Sequence, residues 1–147
     1  MSGAGQHQSG VISVRSRLSS AETIKNLLIA VERRGMIVFA RIDHAKAAEE
    51  TGRRSRPSQL FVFGYPEAEA PFIAKIPLIG IDFPQHVLVW EDDQGSVWLS
   101  YNDPVWIGRR HGASPDLFTK LEAIGNNNSL AGIAAEAIVA KSDTTGA

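Results

Sequence analysis

Apolar and polar positions change rhythm along the chain, and each change marks an element. Val11 to Ser16 (VISVRS) is a short β-rich run and reads as the first strand. Ile24, Leu27, Leu28 and Val31 then recur at helical intervals. Ser19 stands ahead of them with Glu22 three residues on, the spacing of a capping box. Arg33, Arg34 and Gly35 supply the cations and the glycine that close a helix. Leu28 is expected to face the core.

Met36 to Ile42 (MIVFARI) reads as the second strand. Asp43 can cap a short helix, HAKAAEET, closed by Gly52. A basic loop, GRRSRPS, leads into Gln59 to Gly64 (QLFVFG), a run so apolar that burial on both faces is expected. YPEAEAP is a proline-bounded connection, with Pro71 in the first turn of a short helix through FIAKI. IDFPQHVLVWED and SVWLSY are the fourth and fifth strands, joined by a tight turn at Asp93-Gln94-Gly95. Ser114 and Pro115 open a helix with Leu117, Leu121 and Ile124 on its apolar face. GNNNS (Gly125 to Ser129) breaks it, and a last helix runs from Leu130 to about Ala140.

The order β-α-β-α-β-(α)-β-β-α-α predicts an α+β fold. The economical form is a two-layer sandwich: a mixed, mostly antiparallel sheet of about five strands, with helices packed mainly on one face. One domain, 11–140, is expected between a polar tail, 1–10, and a frayed end, 141–147. The 147 residues are enough for one proper core.

Composition narrows the function classes. The formal net charge of −1 provides no basic field for nucleic acid. The chain has no cysteine, which removes disulfides, thiol catalysis and thiolate zinc sites. No apolar run of about 18 residues predicts a membrane span, and the start MSGAGQHQSG lacks the pattern of a signal peptide. The expectation is a soluble, cytoplasmic protein. P-loop, Rossmann, G-x-S-x-G and H-E-x-x-H motifs are absent. Outside the tail the histidines are His44, His86 and His111, with no metal-binding spacing, so no metal is assigned and the cofactor stays unknown.

The segments ETIKNLLIAVERRGMIVFARIDHAKAAEETG, PSQLFVFGYP and DFPQHVLVWEDDQGSVWLSYNDP, in that order, resemble the domain-of-unknown-function family 302 (DUF302). The resemblance runs from about Val11 to Ile124. It implies a compact, dimeric α/β domain and assigns no chemistry. Tyr65 stands where the resemblance leads one to expect a small polar residue before the proline of FG-x-P.

Three groups of residues invite a functional reading, each with a plain one beside it. Asp43 and His44 form a carboxylate–histidine pair for proton transfer, or simply an N-cap and its neighbour. Tyr101, Asn102 and Asp103 end a strand, where they can hold a small ligand or only shape the turn before Pro104. Arg109 and His111 precede the helix at Ser114 and offer charge for an anion, or form a solvated loop. Trp90, Trp98 and Trp106 recur at intervals of eight in the hairpin region and point to core or dimer packing.

These features support a homodimer with a small anionic ligand near the end of the last strand. One alternative is a small acid–base enzyme using Asp43, His44 and Asp103. Another is a purely protein–protein interaction module, its hairpin tryptophans covered by a partner.

Overall fold

A computed structural model of the chain describes residues 5–6, 9–124 and 130–140. The strands are β1 (Gly5–Gln6), β2 (Val11–Arg15), β3 (Ile37–Asp43), β4 (Ser58–Gly64), β5 (Gln85–Glu91) and β6 (Val97–Asn102). They form one sheet in the order β1-β2-β6-β5-β4-β3, and every neighbouring pair is antiparallel. The sheet is thus wholly antiparallel rather than mixed among the described residues. Five strands carry it, and the two-residue β1 extends one edge. The helices are α1 (Ser20–Arg33), α2 (His44–Glu50), α3 (Pro66–Lys75), α4 (Pro104–Arg110), α5 (Pro115–Ile124) and α6 (Leu130–Ala137), with a 3₁₀ turn at Pro77–Ile81.

Local chemistry sets most of the boundaries. The Ser19 hydroxyl accepts the Glu22 N–H at 3.2 Å and donates to the Glu22 carboxylate, opening α1 as the spacing predicts. At the far end Gly35 takes φ 71°, the left-handed conformation a C-terminal glycine permits. Asp43 caps α2 by accepting the Lys46 N–H at 2.9 Å. Gly95 takes φ 81° in the β5–β6 turn, where the Asp92 carboxylate accepts the Gln94 and Ser96 N–H groups.

The main core lies between one sheet face and the pair α1–α6. Leu27, Ala30 and Val31 of α1 and Leu130, Ile133, Ala134 and Ala137 of α6 meet alternate strand residues: Phe61, Phe63, Val87, Val89, Val97, Leu99 and Tyr101. A salt-bridged contact ties the two helices, with Arg33 at 2.6 Å and Arg34 at 2.8 Å from the Glu136 carboxylate. A second cluster, Phe72, Ile79, Phe83, Ile107, Leu117 and Leu121, joins α3, the 3₁₀ turn, α4 and α5. The connections place it at the end where β4 and β6 finish and β5 begins.

Several expectations change. β4 is not buried on both faces: Phe61 and Phe63 are buried, while Leu60 and Val62 are only half-buried, because helices cover one face. The connection YPEAEAP is itself helical, since α3 starts at Pro66 and Pro71 lies inside it. The Ala68 and Glu69 N–H groups both bond the Tyr65 carbonyl, starting the helix one turn earlier than Pro71 suggests. The stretch after Asp103 is the helix α4, not a turn and loop. Leu27 is fully buried and Leu28 only packs against the core's edge. GNNNS lies outside the described residues. Among those described, no helix is long and apolar enough to cross a membrane.

The α1 face yields a quantitative test. Leu27→Ala is expected to cost about 2–5 kcal/mol and Leu28→Ala clearly less. Urea midpoints of the two variants check the order, and an equal shift contradicts the face assigned to α1.

Candidate functional site

At the end of the sheet opposite the hairpin turn, β5 begins beside the end of β6. Asn102 reaches across this pair, its Nδ2 3.4 Å from His86 Nε2. The other ring nitrogen, His86 Nδ1, lies 3.3 Å from the Pro84 carbonyl oxygen. Asn102 can only donate to Nε2 through its amide, and a carbonyl can only accept. The two contacts fit a ring proton on Nδ1 and an acceptor lone pair on Nε2.

Beside this pair, Asp82 draws in two residues from the end of α4. Arg110 Nη1 lies 3.0 and 3.1 Å from the two carboxylate oxygens, and His111 Nε2 donates to Oδ2 at 2.6 Å. The His111 side chain is 6% exposed and that of Asp82 13%, so this contact is largely removed from water. The guanidinium opposes the Asp82 charge. Arg110 also lies 5.9 Å from the Trp106 ring centroid.

Asp82, Gln85, His86, Asn102, Ile107 and Leu130 line a shallow indentation that is open to solvent and encloses essentially no volume. Its wall combines a carboxylate, two amides and an imidazole with two aliphatic side chains.

The sequence-predicted residues divide around this point. Asn102 lines the indentation, and His111 stands behind it through Asp82. Tyr101 points the other way, into the main core, and is 6% exposed. Burial pushes its hydroxyl above the ordinary value of 10.0, and the negative charge of Asp103 pushes in the same direction. Asp103 caps α4, its Oδ1 accepting the Val105 N–H at 3.0 Å, with Pro104 as the first helical residue. Arg109 is exposed and lies 5.6 Å from the Phe118 ring centroid, over α5.

Asp43 and His44 sit elsewhere. The strand order sets β3 three strands from β6, roughly 14 Å away. The registers align Asp43 with Leu99, four residues short of Asp103. Asp43 caps α2 and His44 is exposed beside it, so the fold does not bring this pair together with Asp103. Among the described residues no three histidine or acidic side chains gather as a metal-ligand set.

Asp82 and Gln85 are not among the residues the sequence singles out, Arg110 enters only as part of the basic run Arg109-Arg110-His111, and His86 only as a candidate metal ligand. The signal was DFPQH, where an acid and a histidine flank the start of a strand. Glu69 is not singled out either. This carboxyl packs against the bare Cα of Gly64, is 9% exposed, and has no hydrogen-bond partner at Oε2. Burial raises its pKa above 4.5, partly offset by a hydrogen bond from the Gln85 backbone N–H.

The chain as a whole is similar to known proteins. The model for "Domain of unknown function DUF302" matches residues 12–128. A solved structure, that of an uncharacterized conserved protein DUF302 from Bacillus stearothermophilus, superposes with a TM-score of 0.77 at 19% identity. It covers 87% of this chain and 98% of its own, a likeness of fold. Two curated relatives, from Brucella suis biovar 1 (strain 1330) and Brucella abortus biovar 1 (strain 9-941), are each named "Fluoride-specific ion channel FluC 1". Both are 40% identical over 119 residues, 80% of this chain. The match spans 47% and 44% of their lengths, so the chain covers about half of each.

Glu69 makes stability depend on pH with a definite sign. Its folded pKa lies above the unfolded value, so the folded state holds the proton more tightly. The stabilisation is complete below about pH 4.5 and is lost as pH rises through the folded pKa. Glu69→Gln is expected to flatten this decline and raise the melting temperature near pH 8, with little change near pH 4. Equal destabilisation at both pH values contradicts the assignment.

Proposed function

The chain belongs to the DUF302 family, and from that premise we propose that it is a homodimeric module binding a small anion in the indentation between β5, β6 and α4. The observation that carries this reading is the pairing of Asp82 with Arg110 and His111 beside the Asn102 and Gln85 amides. An unpaired aspartate at that position would repel an anion. With its charge opposed by a guanidinium, the Asn102 and Gln85 amide donors decide what binds.

The indentation is shallow and open to solvent, so a ligand there would rest at the surface rather than in an enclosed cavity. Rigidity supports the reading. Asn102 and His86 sit on paired strands, so little side-chain freedom is lost when a ligand arrives. The ligand chemistry takes its first candidate from the Brucella relatives, which are named for fluoride. Fluoride is small, singly charged and purely a hydrogen-bond acceptor, matching amide donors at the mouth of a shallow site.

The homodimer draws on exposed apolar side chains, among them Ile37, Val38, Phe39 and Ile42 of β3. Trp90 and Trp98 stack on each other with centroids 6.3 Å apart and are half-buried. Their indole N–H groups donate to Ser100 and Asp92.

Titration with fluoride, followed by fluorine NMR, tests the ligand reading, with chloride, formate, acetate and phosphate as competitors. Saturable binding is expected in the native chain. Asn102→Ala should weaken it at least tenfold, while Arg109→Ala, over α5, should leave it within about twofold. If none of these anions binds saturably, or if Asn102→Ala binds as the native chain does, the site is misassigned.

A further inference from the structure

Exposed large apolar side chains fall in two places among the described residues. One group lies along β3; the other runs from the α3 cap, Tyr65, through α3 and the 3₁₀ turn. In that turn Leu78 and Ile81 are each 71% exposed, more than any other large apolar side chain described. They belong to the stretch APFIAKIPLIGI, residues 70–81. Nine of its twelve residues are exposed; eight of the nine have no polar side-chain atom, and the ninth is Lys75. In a 3₁₀ turn residues three apart eclipse, so Leu78 and Ile81 stand on one side as a ridge. Ile79, on the other side, is fully buried and shares the second cluster with Phe72 of α3. The exposed sides of α3 and the turn therefore both face away from that cluster.

We propose that this ridge is a contact for an anionic lipid surface: Leu78 and Ile81 seat at the boundary of headgroups and acyl chains, and Lys75 stays at the level of the phosphates. The contact is peripheral, requires no membrane-crossing segment and is independent of the anion site. An apolar ridge on a convex turn loses water by entering that boundary, as the apolar face of an interfacial helix does. The lysine stem lies along apolar surface while its ammonium remains among the headgroups.

Charge and composition favour a lipid surface over a protein. Lys75 is the only charged residue of the stretch. A second cation, Arg110, is about half exposed and bonded to Asp82, the residue after Ile81, so that carboxylate is already opposed. The nearest acid on α3 is Glu67, about 9 Å along the helix from Ile73. Cations beside an apolar ridge are what anionic headgroups attract. Protein docking surfaces are enriched in tyrosine, tryptophan and arginine, and residues 70–81 hold none of these. Apart from Lys75 the stretch offers no hydrogen-bonding side chain, and a lipid interior demands none.

Vesicle flotation of the full chain tests this, with phosphatidylcholine alone and with about one-third phosphatidylglycerol added. The native chain is expected to float with the anionic vesicles, less with the neutral ones, and less again as salt is raised. Leu78→Ser/Ile81→Ser is expected to weaken binding to both vesicles at least about tenfold, with the circular dichroism spectrum retained. Ile81→Ser alone serves if the double variant does not fold. Lys75→Glu should weaken binding to the anionic vesicles and leave the neutral ones unchanged. Val38→Ser/Ile42→Ser, on β3, should float as the native chain does. A native chain that floats with neither vesicle overturns the lipid contact, and so does a folded ridge variant that floats as well as the native chain. A native chain that stays off both vesicles but self-associates in light scattering, and loses this in the ridge variant, overturns it in favour of a second copy.

Discussion

A five-strand sheet covered by one pair of helices is the constraint from which the other features follow. Strand side chains alternate between faces, so α1 and α6 can bury only half of them. Phe61, Phe63, Val87, Val89 and Leu99 occupy that half at 0–1% exposure. Truncating any of them would leave a cavity between sheet and helices, where packing is dense and relaxation small. The helix pair is held in register by Arg33 and Arg34 on the Glu136 carboxylate. The hydrogen bond from Arg34 is the largest influence holding that carboxyl's pKa below the ordinary value. Its contribution is therefore present above about pH 4.5 and fades as the pH falls, the opposite sign to Glu69.

The uncovered half of the sheet is partly self-satisfied. Ser13, Ser100 and Trp90 form a chain of hydrogen bonds at 2.7 and 2.9 Å, so polar groups under the tryptophan keep partners. Trp98 is tied to Asp92 in the hairpin turn at 2.8 Å. These contacts turn a row of large rings into a stable surface on the face away from the main core. β3 has no comparable arrangement, and large exposed apolar side chains concentrate there.

The opposite constraint acts at the end of the sheet. The second cluster closes around Phe72, Ile79 and Ile107, and polar strand ends must emerge beside it. Asp82 is matched by Arg110 and His111. Gln85 gives its N–H to Glu69, and His86 shares a contact with Asn102. Glu69 alone keeps an orphaned oxygen among the described residues. Gly64 is what allows it to lie so close, because a Cβ there would collide with the carboxyl. A carboxyl held in this way trades stability for position.

Much of the fold was legible because its signals are local. Ser19 with Glu22, Asp43 before α2, Gly35, Gly52 and Gly95 each act on backbone groups within a few residues, so their spacing in the sequence is their spacing in space. The family too was legible, through the order of its motifs. Where local chemistry serves two structures, only packing chose between them. Asp103-Pro104 fits a turn as well as a helix start, and α4 forms because Ile107 and Gly108 bury against Leu121 of α5. The same limit applies to Leu27 and Leu28, adjacent on one helix and separated only by where the sheet lies. Asp82 and His111 are 29 residues apart, and Asn102 and His86 are 16 apart. The sequence by itself determined the elements, their caps and the residue types available at the strand ends. Tertiary structure decided which of those residues meet, because strand order and register are set by long-range burial, which no short stretch of sequence encodes.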